Sequence, residues 1–279
     1  MTIDMSTTRT DLALESVQAA CSGAEAGTIS GVRSRERTRE GYAVTDIRVE
    51  DEDGAQALGK PVGWYVTVDL GPYFRREADY FDRGVRCLAG ELAALLPEGP
   101  VLAAGLGNRA MTCDAVGPTS IDNLLVTRHM IRAMPRQFAD FRPVAAVCPG
   151  VLARTGLEAL ELVRGAVERV RPAAVIAVDA LAARDSARLC ATVQLSDTGL
   201  VPGSGVGNRR SALDRGTLGV PVIAVGIPTV VDADPRAGLF LTPRDIDQRI
   251  RELGRLLGYG ITLALQPSLT AADVTALLG

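Results

Sequence analysis

The chain has 279 residues, 47% hydrophobic but only 4% aromatic, with a formal net charge of −3. That length suits one large α/β domain or two small ones, and the core must be mostly Ala, Val, Leu and Ile, residues that suit buried parallel strands. The charge balance carries no basic field, so nucleic acid is not an expected partner, and no apolar stretch is long enough to span a bilayer.

Lys60 is the only lysine; the other cations are arginines. The five cysteines, Cys21, Cys87, Cys113, Cys148 and Cys190, form no CxxC pair. A scattered, odd set argues for a reducing compartment. Residues 1–20 lack the basic start and apolar run of a signal peptide. A cytoplasmic protein is therefore expected. The single histidine, His129, disfavours a Ser-His-Asp triad and excludes the HExxH zinc helix.

Residues 1–11 are polar and read as a flexible end. A short helix is expected over 12–21. Residues 42–50 and 62–70 alternate as strands, with 54–60 between them. Leucines three to four apart predict a helix within 76–96. Four continuous apolar runs follow, at 101–105, 144–148, 173–180 and 221–228. Helical patterns at 117–131, with Thr119 or Ser120 as cap, and at 156–170 lie between them. An amphipathic helix is expected over 242–260, and a last one from Thr270, where T-A-A-D resembles a capping box. Continuous runs alternating with helices predict an α/β fold: a central, mainly parallel sheet with helices on both faces and extra N-terminal strands.

Gly105-Leu106-Gly107-Asn108-Arg109 recurs as Gly205-Val206-Gly207-Asn208-Arg209, and Asp114 has a counterpart at Asp214. Glycine-rich turns after strands explain this better than duplication does. Pro202 to Gly207 looks like a phosphate cradle, but no Lys-Ser/Thr follows, so it is not a P-loop. Cys113 as a thiol nucleophile would have only His129 for a base, and a structural Cys fits better.

In parallel sheets, ligands meet the carboxyl ends of the strands. Asp179 ends the run at 173–180, and Asp114 lies in the loop after 101–105. If those strands are neighbours, the two carboxylates can face one cleft. One then keeps a proton while the other can activate water. Spacing alone equally allows Asp114 to hold its loop and Asp179 to pair with Arg184.

The stretch GLGNRAMTCDAVGPTSIDNLLVTRH (105–129) resembles a block of the spore germination protease family. CPGVLARTGLEA (148–159), VIAVDALAARD (175–185), VQLSDTGLVPGSGVGNRR (193–210), GVPVIAVGIPTVVDA (219–233) and FLTPRDID (240–247) continue the likeness in order. The resemblance implies an aspartic-type endopeptidase with Asp114 and Asp179 as its catalytic pair and with no cofactor or metal. It implies small acid-soluble spore proteins as substrates, a tetramer, and a zymogen that trims its own N-terminus within the spore. Thr10-Asp11-Leu12-Ala13-Leu14-Glu15 resembles the family's cleavage site, so the cut is expected between Asp11 and Leu12. Residues 1–11 would be a propeptide and 12–279 a single peptidase domain. A helix start capped by Thr10 or Asp11 is the other reading of that stretch. Self-cleavage by an acid pair needs one protonated carboxyl, so acidification is an expected trigger.

A more distant likeness links 105–117 to the loop of hydrogenase maturation peptidases and implies the same fold. Those enzymes use a metal and a further histidine, and no residue here matches that histidine. A metal-assisted peptidase of this fold, or a non-catalytic binder of spore proteins or of an anion on the 203–207 loop, are the alternatives. The chain lacks a long insertion that longer family members carry after Ala233.

Overall fold

The computed structural model describes residues 10–22, 29–208, 210–234 and 238–279. Residues 1–9 of the expected propeptide and Arg209 of the repeated glycine stretch lie outside the described residues. In chain order come α1 (Ala13–Ser22), β1 (Val32–Arg39), β2 (Tyr42–Val49), α2 (Glu52–Leu58), β3 (Gly63–Asp69), α3 (Gly71–Phe74) and α4 (Tyr80–Ala93). The middle contains β4 (Val101–Leu106), α5 (Val116–Asp122), α6 (Arg128–Ala133), β5 (Val144–Gly150), α7 (Leu152–Thr155), α8 (Ala159–Val170) and β6 (Ala174–Ala183). The chain ends with β7 (Thr192–Ser196), α9 (Arg215–Leu218), β8 (Val222–Asp234), β9 (Leu239–Leu241), α10 (Ile246–Leu265) and α11 (Ala271–Leu278).

One nine-stranded sheet organises these elements in the order β1-β2-β3-β7-β8-β6-β4-β5, with β9 on β8. Strands β8, β6, β4 and β5 are parallel. They are the four apolar runs, and every residue of β4 is buried. Continuous apolarity follows from cover on both faces. On one face, Val178, Ile176 and Val225 pack with α4 and α10 residues such as Leu88, Leu253 and Leu257. On the other, Val175 and Ala177 of β6, with Leu102 and Leu106 of β4, pack with Leu160 and Val163 of α8.

An antiparallel wing of β1, β2, β3 and β7 joins the parallel part through β8. Two of its strands, β1 and β7, are not among the strands expected from sequence. β1 carries four arginines and is mostly exposed, as suits a sheet edge protected by charge. Its signal is the two-residue loop Glu40-Gly41, both at positive φ (53° and 81°), the geometry of a tight hairpin. β7 alternates polar and apolar residues, yet all five are buried.

The helix predicted over 117–131 is two helices, α5 and α6. The chain leaves α5 after Asp122 because tertiary bonds take over. The Leu125 amide donates to Thr262 Oγ1 (3.1 Å), and the Thr127 hydroxyl donates to the Arg142 carbonyl (2.6 Å). Neither Thr119 nor Ser120 is a cap. Their hydroxyls bond the carbonyls of Ala115 and Val116 from inside the helix. The capping box at Thr270 is present, with both reciprocal bonds made.

Glu91 of α4, 1% exposed, ties that helix to the wing through Arg37 and Arg39. Glu91→Ala strips a buried carboxylate from two cations. It should cost about 3 kcal/mol in denaturant unfolding.

Candidate active site

The loop after β4 is shaped by glycine. Gly107 has φ +108°, and a Cβ there would lie 2.0 Å from the Asp114 carbonyl oxygen. The chain therefore folds back closely enough for the Asn108 amide to donate to both the carbonyl (3.0 Å) and Oδ2 (2.9 Å) of Asp114. Thr229 of β8 fixes the same turn by donating to the Cys113 carbonyl at 2.6 Å. Asp114 thus does hold its loop. The loop also delivers it to the carboxyl end of β4, level with Asp179; that acid does not end its strand as the sequence suggested but stands midway along β6, which runs on to Ala183 in pairing with β8.

Asp179 is 6% exposed, and its Oδ1 accepts the Ala180 amide at 2.9 Å. Gly117, in the first turn of α5, seals this corner. A Cβ on it would meet the Leu106 carbonyl at 2.3 Å and the Val178 carbonyl at 2.5 Å. Helix α5 therefore rests its backbone directly on β4 and β6, linking the loop of Asp114 to the strand of Asp179.

The environments split the two acids. Burial raises the Asp114 pKa to about 6, against a smaller opposing pull from the Asn108 amide. Burial raises Asp179 well above the ordinary carboxylate range, and the charges of Asp114 and Asp11 add to this, opposed by the Ala180 amide. Neighbouring carboxylates resist ionising together, so the pair loses its protons in two steps. Between these two steps the pair holds one proton.

Asp11 and Leu12 lie farther along β6, against its carboxyl end. The Asp11 amide donates to the Ala182 carbonyl (2.9 Å), and the Ala182 amide donates back to Asp11 Oδ2 (2.9 Å). Ser204 donates to Asp11 Oδ1 at 2.8 Å. Leu12 is fully buried with Leu181, Ala183, Leu189 and Val231. The Gln194 carboxamide spans the join: its Nε2 donates to the Asp11 carbonyl (3.0 Å), and its Oε1 accepts the Ala13 amide (2.7 Å). Glu15, 3% exposed, accepts the amides of Arg184 (2.7 Å) and Asp185 (2.9 Å), and the Thr10 hydroxyl donates to it. Lys60 donates to the Thr10 carbonyl at 3.1 Å; burial lowers its pKa, while Asp11 and Glu15 partly hold it up.

A profile of the germination protease family matches residues 9–238. The chain belongs to the germination protease family. The germination protease of Caldanaerobacter subterraneus subsp. tengcongensis is 39% identical, with 97% of this chain and 98% of that protein aligned. Those of Clostridium perfringens (36% identical; 97% and 98%) and Bacillus cytotoxicus (40%; 95% and 76%) are similarly close. The alignment with the Caldanaerobacter protein runs over 320 positions, more than this chain has, so that relative carries segments absent here. Among solved structures, a NiFe hydrogenase maturation protease of Thermococcus kodakarensis superposes with a TM-score of 0.41 at 17% identity, covering 63% of this chain and 99% of that one.

Family membership makes the chain a germination peptidase, a hydrolase. The remaining sequence candidates lie apart from its two acids or run against their expected chemistry. Burial, with the charge of Asp114, pushes the Cys113 thiol up, the wrong direction for a thiolate nucleophile. His129 is on α6. Asp214, the echo of Asp114, caps α9 by accepting the Thr217 amide at 2.8 Å. Among the described residues, no three His, Cys, Asp or Glu side chains gather as a metal-sized group, and no helix is long and apolar enough to cross a membrane. Gln194 and the role of Lys60 were not visible in sequence, where the lone lysine was the one signal; Ser204 lies in the glycine loop already marked there as a cradle for an anion.

Proposed function

We propose that this germination protease is an aspartic-type endopeptidase of small acid-soluble spore proteins, and that it first cuts itself between Asp11 and Leu12. Residues 1–11 leave as a propeptide, and 12–279 remain as one peptidase domain. It acts inside the spore as a homo-oligomer, a tetramer on the family resemblance.

The observation that carries this reading is the unequal pair where the end of β4 meets the middle of β6. Asp114, with the lower proton affinity, acts as base: it takes a proton from water as the oxygen adds to the Asp11 carbonyl carbon. Asp179, still protonated, gives its proton to the Leu12 nitrogen as the C–N bond breaks. The products are a carboxylate on Asp11 and a new amino terminus on Leu12.

A bell-shaped pH dependence follows. Falling pH supplies the proton of Asp179, but below about 6 Asp114 loses its charge and the rate should drop. Acidification is thus a trigger only down to that value. The test is intact mass against time at several pH values, for wild type and Asp114→Asn. Loss of residues 1–11 in wild type, with its acid limb near pH 6 and no loss in the variant, is the expected result. A folded wild type that stays full length at every pH, or an Asp114→Asn protein that trims normally, would overturn the assignment.

A further inference from the structure

The glycine loop at 203–207 looked in sequence like an anion cradle. In the fold it does hold an anion, the Asp11 carboxylate of its own chain. Ser204 donates to one oxygen (2.8 Å) and the Ala182 amide to the other (2.9 Å). Gly205 is required by the fit: a Cβ there would lie 2.1 Å from Asp11 Oδ2.

Four residues on, a second acid is held as tightly. Glu15 takes both amides at the turn after β6, one per oxygen. Between the two acids the backbone changes form. It is extended enough at Asp11 to pair with Ala182, then helical from Ala13, with the Leu12 carbonyl accepting the Ser16 amide at 3.2 Å. The first amide of a helix has no partner within it. Here the partner is Gln194 Oε1, from β7.

Sheet register gives Gln194 its position. Asp179 and Gln194 both pair with Gly226 of β8, from opposite sides. Residues in one row of a sheet project to the same face, so Gln194 rises on the face of Asp179, with Gly226 between them and the Leu181 side chain folded over that glycine.

We infer that residues 10–15 occupy the substrate groove in the substrate's own manner, and that Ser204 and Gln194 set specificity. Ser204, with the Ala182 amide and Gly205, selects an acid just before the cut. Gln194 caps a helix that starts just after it, and the amides of Arg184 and Asp185 select an acid at the fourth position beyond. This rests on the proposed cleavage between Asp11 and Leu12.

The test uses self-processed wild type and the Ser204→Ala protein, with synthetic peptides spanning residues 6–19. One peptide has the natural sequence, one carries Asp11→Asn, one Glu15→Gln and one Val17→Pro, which breaks the helix. Wild type should prefer the natural peptide over each of the first two by on the order of ten- to a hundredfold in kcat/KM, and over the proline peptide by at least about tenfold. In Ser204→Ala the Asp/Asn ratio should fall toward one while the Glu/Gln ratio holds, a split that general damage to the fold would not produce. If wild type cuts all four peptides alike, or Ser204→Ala keeps full Asp/Asn discrimination, the inference is wrong while the peptidase reading stands. If wild type cuts neither itself nor any peptide, both readings fall.

Discussion

Asp179→Asn should stop self-cleavage and, at the same time, make the protein harder to unfold at neutral pH. The carboxamide is nearly isosteric and keeps an oxygen for the Ala180 amide, so the fold should be retained. What is lost is the proton the acid would give the leaving nitrogen, worth about 10²- to 10⁴-fold in rate. The stability change follows from linkage. The folded-state pKa of Asp179 lies well above its ordinary 3.8. Above about pH 4 the folded state therefore binds more protons than the unfolded chain, and stability falls as pH rises toward the folded value. Every tenfold difference in proton affinity between the two states is worth about 1.4 kcal/mol, so wild type loses stability steadily across this window. Asn has nothing to ionise. Unfolding midpoints from pH 4 to 8 should decline more steeply in wild type than in Asp179→Asn, with the curves closest at pH 4. Parallel curves would show that Asp179 is not a strained acid. A variant that still trims would remove it from the chemistry.

Gly117→Ala should damage stability and activity together. The new methyl would stand 2.3 Å from the Leu106 carbonyl, 2.5 Å from the Val178 carbonyl and 2.7 Å from the Leu106 amide nitrogen. All three are backbone atoms in the central strands, so no side chain can turn aside. Helix α5 has to lift by about an ångström, taking the Asp114 loop with it. We expect a loss of about 3 kcal/mol or more in denaturant unfolding. The surviving folded fraction should lose on the order of 100-fold in self-cleavage, because an ångström of misplacement costs that much. Gly165→Ala is the control. It is helical and exposed, with nothing within 4 Å of the added carbon, and it should gain about 0.5–1 kcal/mol. Equal effects at the two positions would mean that helix propensity decides and backbone contact does not.

The parallel half of the sheet was legible because burial on both faces leaves unbroken runs such as Val101–Leu106 and Ala174–Val178. The wing was half legible. Strands β2 and β3 alternate, whereas β1 reads as charge because it lies at the edge. The break after Asp122 was invisible, since its cause is Thr262, far along the chain. For the site, strand ends pointed to Asp114 and Asp179, although Asp179 stands midway along β6; spacing could not choose between a structural and a chemical role, and the block resemblance implies the chemical one. Gln194 could not be found at all. Its meaning depends on Gly226 pairing with both it and Asp179, a fact of register and not of composition.

The docking of α1 has a kinetic consequence. Ala13, Leu14, Val17 and Ala20 pack against Val32, Ile47 and Tyr65 of the wing and Leu58 of α2, and Glu15 stays bonded to the turn after β6. Cutting the Asp11–Leu12 bond breaks none of these contacts. The freshly made amino terminus would remain on the enzyme as a tethered product, at an effective concentration in the millimolar range. An incoming peptide competes with that segment before it competes with any other substrate. Turnover in trans would then be governed by how often α1 lifts from the wing, and loosening its apolar face should speed the cutting of other proteins without altering the first cut.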